Sequence, residues 1–221
     1  TNRYQLSDGL GLPDTWSANA GVDRQIGQYF RVNAGYTYRR GDHMLRGRNL
    51  NAPVNGVRPD AAFANIVDVA ADGSARTHAF NVGLNVIALN WKRTIFFVNY
   101  GYTRSQSNAT GAFSLPANGD DLTTEWGPSQ PRHRTQASIN MQPFTNVSLS
   151  VNARHQTGSP YNVTTGRDDN GDGVFNDRPS GTSRNSAWTG SQWDLGGRLN
   201  YAIGIGKRAQ SGGGGPQGVM I

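Results

Sequence analysis

Apolar and polar residues change places at every step through run after run of this chain, and that period of two limits the fold more than any other feature. A strand turns successive side chains to opposite faces, so strict alternation describes a strand with one apolar and one polar face. Over 15–24, Trp16, Ala18, Ala20 and Val22 oppose Ser17, Asn19, Gly21 and Asp23. Over 29–39, Phe30, Val32, Ala34, Tyr36 and Tyr38 oppose Arg31, Asn33, Gly35, Thr37 and Arg39. Phe80, Val82, Leu84, Val86 and Ala88 share a face, as do Phe96, Val98, Tyr100 and Tyr102. Two further runs, 132–142 and 146–156, set Thr135, Ala137, Ile139 and Met141, then Val147, Leu149, Val151 and Ala153, against Gln, Ser, Asn and Arg. A last run places Trp193, Leu195, Leu199, Tyr201, Ile203 and Ile205 opposite Gln192, Asp194, Arg198 and Asn200. These are about seven strands, each of about ten residues, the length a tilted strand needs to cross a bilayer. No helical period appears.

The joins add a second constraint. Tight ones fall near 26, 90 and 143, long polar ones span roughly 40–76, 106–131 and 157–190, and the two kinds alternate. All long loops therefore lie at one end of the sheet and all tight turns at the other. A soluble sandwich mixes the lengths, with turn signals every ~8–12 residues. Short turns on one side and long loops on the other mark outer-membrane barrels. The expected fold class is all-β, an antiparallel up-and-down transmembrane β-barrel with long extracellular loops. Its rival is a soluble carbohydrate-binding β-sandwich.

Composition is compatible with the barrel. The mean hydropathy of −0.60 does not argue against a membrane, because a barrel strand alternates polarity and averages out as polar. No apolar run approaches the ~18 residues of a membrane helix, and the opening "TNRYQLSDGL" has no apolar core of a secretory signal. With no cysteine, disulfides and thiolate metal sites are excluded. A net charge of +6 points to anionic partners, but the basic residues are scattered singly, so no nucleic acid is expected. His43, His78, His133 and His155 show no metalloprotease spacing, and no nucleophile elbow, phosphate loop or dinucleotide fingerprint is present. No catalytic residues are assigned, and the chain is not expected to be an enzyme.

The two faces carry the candidate sites. Tyr36, Tyr38, Tyr100, Tyr102, Trp193 and Tyr201 lie toward strand ends on the apolar faces, as an interfacial girdle would. Beyond them Arg40, Arg104, His133 and His155 keep the apolar phase at the long-loop end. Basic side chains there snorkel toward lipopolysaccharide phosphates, unless alternation lapses and they are ordinary solvated charges. The polar faces carry Arg31, Arg39, Arg93, Arg132, Arg134, Arg154 and Arg198 against Asp23 and Asp194. Lining a lumen, these arginines either favour anionic solutes or pair with acidic groups of a plug or of neighbouring strands.

The third long join contains "GRDDNGDGVFNDRP". Asp168, Asn170 and Asp172 hold positions 1, 3 and 5 of a calcium loop, Gly173 its sharp turn, and Val174 the carbonyl of position 7. Pro179 replaces the bidentate glutamate of an EF-hand, so Asn176 and Asp177 would close the shell around Ca2+. The alternative is an Asx-rich turn without metal.

An odd number of strands leaves two unpaired edges, which a membrane does not tolerate. The chain therefore reads as part of a larger barrel, with self-assembly of several copies as the other solution. The blocks "LRGRNLNAPVNGVRPD", "NYGYTRSQSN", "DDLTTEWGPSQPRHR" and "TGSPYNVTTGRDDNGDGVFNDRPSG" resemble, in order and spacing, the late barrel region of TonB-dependent receptors of the Oar-like type. The resemblance covers nearly the whole chain, and the block around 157–185 is its most distinctive part. It implies a large barrel in the outer membrane of a Gram-negative bacterium, closed by an N-terminal plug and energised by the TonB system. Such receptors import or bind bulky ligands, and some serve surface adhesion. On this reading residues 1–206 are part of the C-terminal half of the barrel without its final strands, and 207–221 are a Gly-rich periplasmic-side connector. The implied partners are outer-membrane lipid and lipopolysaccharide, the plug and remaining strands, and the TonB system.

Overall fold

A computed structural model describes residues 1–109, 111–117 and 121–203. Its strands are β1 (Asn2–Leu6), β2 (Asp14–Ile26), β3 (Phe30–Asn49), β4 (Asn65–Ala88), β5 (Thr94–Ser107), β6 (Gly127–Pro128), β7 (His133–Phe144), β8 (Val147–Gln156), β9 (Pro160–Tyr161), β10 (Ala187–Trp188) and β11 (Gln192–Tyr201). A single 3-10 turn, Leu122–Thr124, is the only helical piece among the described residues. Seven strands form one continuous antiparallel path, β2–β3–β4–β5–β7–β8–β11. Each of the seven alternating runs supplies one of them. Among the described residues no second sheet packs on this one; β9 and β10 form only a small ladder inside the last long loop. The rival sandwich, which needs two facing layers, is thereby set aside.

The tight joins behave as turns. Gly27 between β2 and β3 takes φ +61, and Lys92 and Arg93 between β4 and β5 take φ 50 and 47. Thr145 and Asn146 alone connect β7 to β8. At the other end the structure corrects the expected loop over 40–76, most of which is strand. β3 runs on to Asn49 and β4 starts at Asn65, so the loop proper is only 50–64. The ladder shifts register on either side of Met44 and then continues to Asn49↔Val67. At ~3.3 Å per residue β4 is long enough to pass well beyond a hydrocarbon layer ~30 Å thick. Its protruding part takes β1 as a parallel neighbour, Asn2↔Asn65 to Leu6↔Val69.

Period-two reasoning misses this extension because neither face is wet there. Val67, Asp68, Val69 and Ala70 are all buried in succession. Together with Ala117, the apolar members of that run are the buried apolar side chains among the described residues. The folded core thus sits in the cap at the long-loop end. Across the wall the apolar face has no protein partner: Trp193 is 69% exposed, Leu195 75% and Val82 51%. Soluble proteins do not expose a continuous apolar face of this extent.

Candidate functional site

Cross-strand register places the predicted residues in rows. One row of the apolar face reads Arg24, Val32, Leu84, Val98, Ala137, Ala153, Leu195 from β2 to β11. The parallel row on the other face reads Asp23, Asn33, Gly83, Asn99, Gln136, Arg154, Asp194. Amides dominate this polar wall, and glycines let them lie flat. A Cβ at Gly83 would run into the Asn33 amide, and one at Gly196 would come 2.6 Å from Asn152 Oδ1. The amide–glycine pattern was not anticipated, although its residues are all in the polar phase of the sequence.

The predicted arginines of this wall fall into different settings. Arg31 forms a bidentate pair with Asp23 (Nε–Oδ1 2.8 Å). Arg93 lies in a tight turn and donates to Gln142 Oε1 at 3.2 Å, so it marks the turn end of the wall. Arg132 precedes β7 and lies over the Trp188 ring of the last loop, 4.7 Å from its centroid. Arg39, Arg134, Arg154 and Arg198 make no ion pair among the described residues. Arg134 and Arg154 border a recess of about 760 Å³ with Asn99, Gln136, Gln156 and Asp194.

On the apolar face, Arg40, Arg104, His133 and His155 keep the lipid-facing phase through paired positions. The pairs are Arg40↔Arg76, His78↔Arg104, Tyr102↔His133 and His155↔Trp193. Arg76 and His78 belong to the same face. Extending the alternation of β4 two steps back from Phe80 would have found them, had the region not been read as the end of a loop. Tyr36 Oη lies 2.8 Å from His78 Nδ1, and Tyr100 Oη 2.7 Å from His133 Nδ1.

The loops form an ordered cap. Arg178 and Glu125, 53 positions apart, make a bidentate pair at 2.7 and 3.1 Å with both side chains 4% exposed. Arg184 is buried beside it and donates to the carbonyls of Ser107 and Glu125. Burial pulls its guanidinium below the ordinary value, opposed by Glu125. Asn51, fully buried, donates to the carbonyls of Asp60 and Phe63 and accepts from Asp60 N–H, which shapes the loop 50–64. The sequence does not single out Arg178, Glu125 or Arg184, because partners 53 or more positions apart leave no spacing signal, and Asn51 stands in an irregular loop without a period to mark it.

The Asp/Asn/Gly loop is built into this cap. Asp168 Oδ2 accepts from Gly173 N–H at 2.9 Å, Asp172 Oδ1 from Val174 N–H at 2.8 Å, and Asn170 Oδ1 from Asp172 N–H at 2.9 Å. Asp177 Oδ2 takes the N–H groups of Asp169 and Asn170. Asn170 and Asn176 reach across to the carbonyls of Ala117 and Leu115. Among the described residues no three acidic or histidine groups converge as a metal centre. Two oxygens, Asp168 Oδ1 and Asn176 Oδ1, are nevertheless buried without a partner. Burial also pushes the Asp172 carboxyl above its usual range, with Asp168 and Asp177 adding to the rise against the hydrogen bonds that lower it.

A family model described as an outer membrane beta barrel domain matches residues 3–200. Among solved structures, the outer membrane transporter YddB from Escherichia coli superposes with a TM-score of 0.53 at 14% identity, over 75% of this chain and 24% of that one. The chain thus spans about a quarter of the transporter's length, and at this identity the likeness is one of fold. No curated protein matches the sequence.

Proposed function

Since the chain belongs to the family of outer membrane beta barrel domains, we propose that it builds part of the wall and outer cap of a TonB-dependent transporter of the Oar-like type, which imports a bulky ligand across the bacterial outer membrane. Residues 1–206 are then one stretch of a larger barrel. The proposed connector 207–221 and Ile205 lie outside the described residues. The observation that carries the transport reading is the inner wall. It presents amides along its rows and, on β3, β7, β8 and β11, Arg39, Arg134, Arg154 and Arg198 without an ion pair among the described residues, with a recess of about 760 Å³ between β5, β7, β8 and β11. A plug and the TonB system are the partners this reading requires. Adhesion of the Oar type is the second reading, favoured by Phe113 and Phe175, exposed at 68% and 70% on the cap.

Uptake of labelled peptides, oligosaccharides and metal chelates should be compared in cells with and without the protein, and with and without TonB. One ligand is expected to lose uptake in both deletions. Equal uptake without TonB rejects the energised mechanism. Intact uptake of the whole panel, with cells that no longer attach to surfaces, selects adhesion instead.

For the cap we propose that a calcium ion occupies the loop at Asp168, Asn170, Asp172, Val174, Asn176 and Asp177. Its support is the pair of buried, partnerless oxygens of Asp168 and Asn176. A hard cation takes such oxygens at about 2.3–2.6 Å. Calorimetric titration of the detergent-solubilised protein is expected to show calcium binding that Asp168→Ala removes. No heat at millimolar calcium rejects the ion and leaves an Asx-turn clamp.

A further inference from the structure

Two adjacent rows of the sheet make the recess of the inner wall. Asn99, Gln136, Arg154 and Asp194 form one, and Gly101, Arg134, Gln156 and Gln192 form the next toward the long loops. Arg134 and Arg154 are exposed diagonal neighbours, ~7–8 Å apart along the sheet. Neither makes an ion pair among the described residues. Two guanidiniums this close repel each other until an anion lies between them. Gly101 supplies no side chain, so the floor stays open on β5, where an added Cβ would meet nothing nearer than 3.8 Å. At about 760 Å³ the recess falls within the ~300–1,000 Å³ of small-molecule sites.

The lining selects a ligand by its donors and acceptors. A guanidinium only donates, and its planar fork matches a carboxylate. The amides of Asn99, Gln136, Gln156 and Gln192 both donate and accept, as sugar hydroxyls do. None of the four is engaged in a side-chain hydrogen bond among the described residues. Asp194, opposite Arg154 in register, accepts a hydroxyl proton and offsets one of the two guanidiniums. The single positive charge that remains suits a carboxylate better than a phosphate dianion. The same chemistry continues down the wall. Ser138 and Asn152 share the next row, and Asn140, Ser150 and Arg198 the row after it. A ligand with repeating hydroxyls and repeating charge follows this line. An acidic peptide fits it less well, because peptides join sheets by adding a strand, and β5, β7 and β8 have both edges paired.

We propose that the recess between Arg134 and Arg154 binds an acidic oligosaccharide, a short chain of sugar acids. One carboxylate lies across the two guanidiniums, and the hydroxyls meet the amides. Its import rests on the transport reading above, whereas its binding to the wall needs no TonB, so a failure of one is distinct from a failure of the other.

The whole receptor is purified in mild detergent and titrated calorimetrically with a galacturonic acid trimer, with the methyl ester of that trimer and with triglutamate. The acid trimer is expected to bind. The ester keeps the hydroxyls and loses the charge, and is expected to bind about tenfold or more weakly. Triglutamate has the charge without the hydroxyls and is expected to bind more weakly as well. Arg134→Gln with Arg154→Gln is expected to lower the affinity for the acid trimer by about tenfold or more, with heat-modifiable gel migration showing that the barrel still folds. Gly101→Phe fills the floor, removes no charge, and is expected to weaken binding too; it decides alone if the double variant fails to fold. No binding of the acid trimer at millimolar concentration, equal affinity for the ester or for triglutamate, or unchanged affinity in either folded variant overturns the proposal. Unchanged affinity in a double variant whose plug is released at lower denaturant would assign the arginines to the plug and overturn it as well.

Discussion

Replacing Glu125 by Ala is expected to weaken the extracellular cap by about 3–5 kcal/mol, the cost of leaving a buried guanidinium without its counter-charge. Arg178 reaches Glu125 from 53 positions away with two hydrogen bonds, both side chains nearly sealed from solvent. Arg184 packs beside the pair and holds the Glu125 carbonyl, so the lost charge is felt at the point where the second and third long loops meet. Hydrogen exchange should rise over the described parts of 108–131 and over 157–190 while the wall strands stay protected. The double change Glu125→Leu with Arg178→Met is expected to restore most of the protection, since a buried ion pair replaced by apolar groups of similar volume is near neutral. Unaltered exchange in Glu125→Ala would show that the pair does not hold the cap.

The second large effect concerns the wall. Ala137 and Ser138 are neighbours on β7 and face opposite ways: Ala137 pairs with Val98 and Ala153, and Ser138 with Phe97 and Asn152. Ala137 lies midway between the basic rim and the turn end. Ala137→Arg places a charge in the hydrocarbon layer and is expected to cost about 2–4 kcal/mol. Ser138→Arg adds the same side chain to a polar wall and is expected to be close to neutral. Denaturant unfolding in lipid vesicles measures both. Equal costs at the two positions would mean that the faces are assigned wrongly.

How much of this was legible varies with the surroundings of each segment. Where a strand separates lipid from a polar interior, its two environments differ at every step, and the residues record that difference. β2, β7 and β8 accordingly lie where the alternation put them, and β11 does so as far as Tyr201, stopping short of Ile203. The protruding part of β4 carries no strand signal in the sequence because Val67 to Ala70 are buried on both faces, which erases the period. Tyr36 and His78 illustrate an intermediate case. Each has the phase of the apolar face in the sequence, but their hydrogen bond depends on the register of β3 against β4.

The calcium-like loop shows the limit from another side. Its spacing of Asp168, Asn170 and Asp172 is plain in the sequence, and so is its place in a long outer loop. Only the folded chain shows that its carboxylates are largely taken up by its own N–H groups and that Asn170 and Asn176 tie it to the neighbouring loop.

The sequence by itself determined the class of wall: antiparallel strands with one lipid-compatible face, tight turns at one end and long loops at the other. Those properties are local, since each depends only on the parity and spacing of residues along one strand. Tertiary structure alone decided that the loops close into a cap around Glu125, Arg178 and Arg184, and that basic residues from five strands follow one another along a diagonal of the sheet. Both depend on register between strands distant in the chain, and no single strand encodes them.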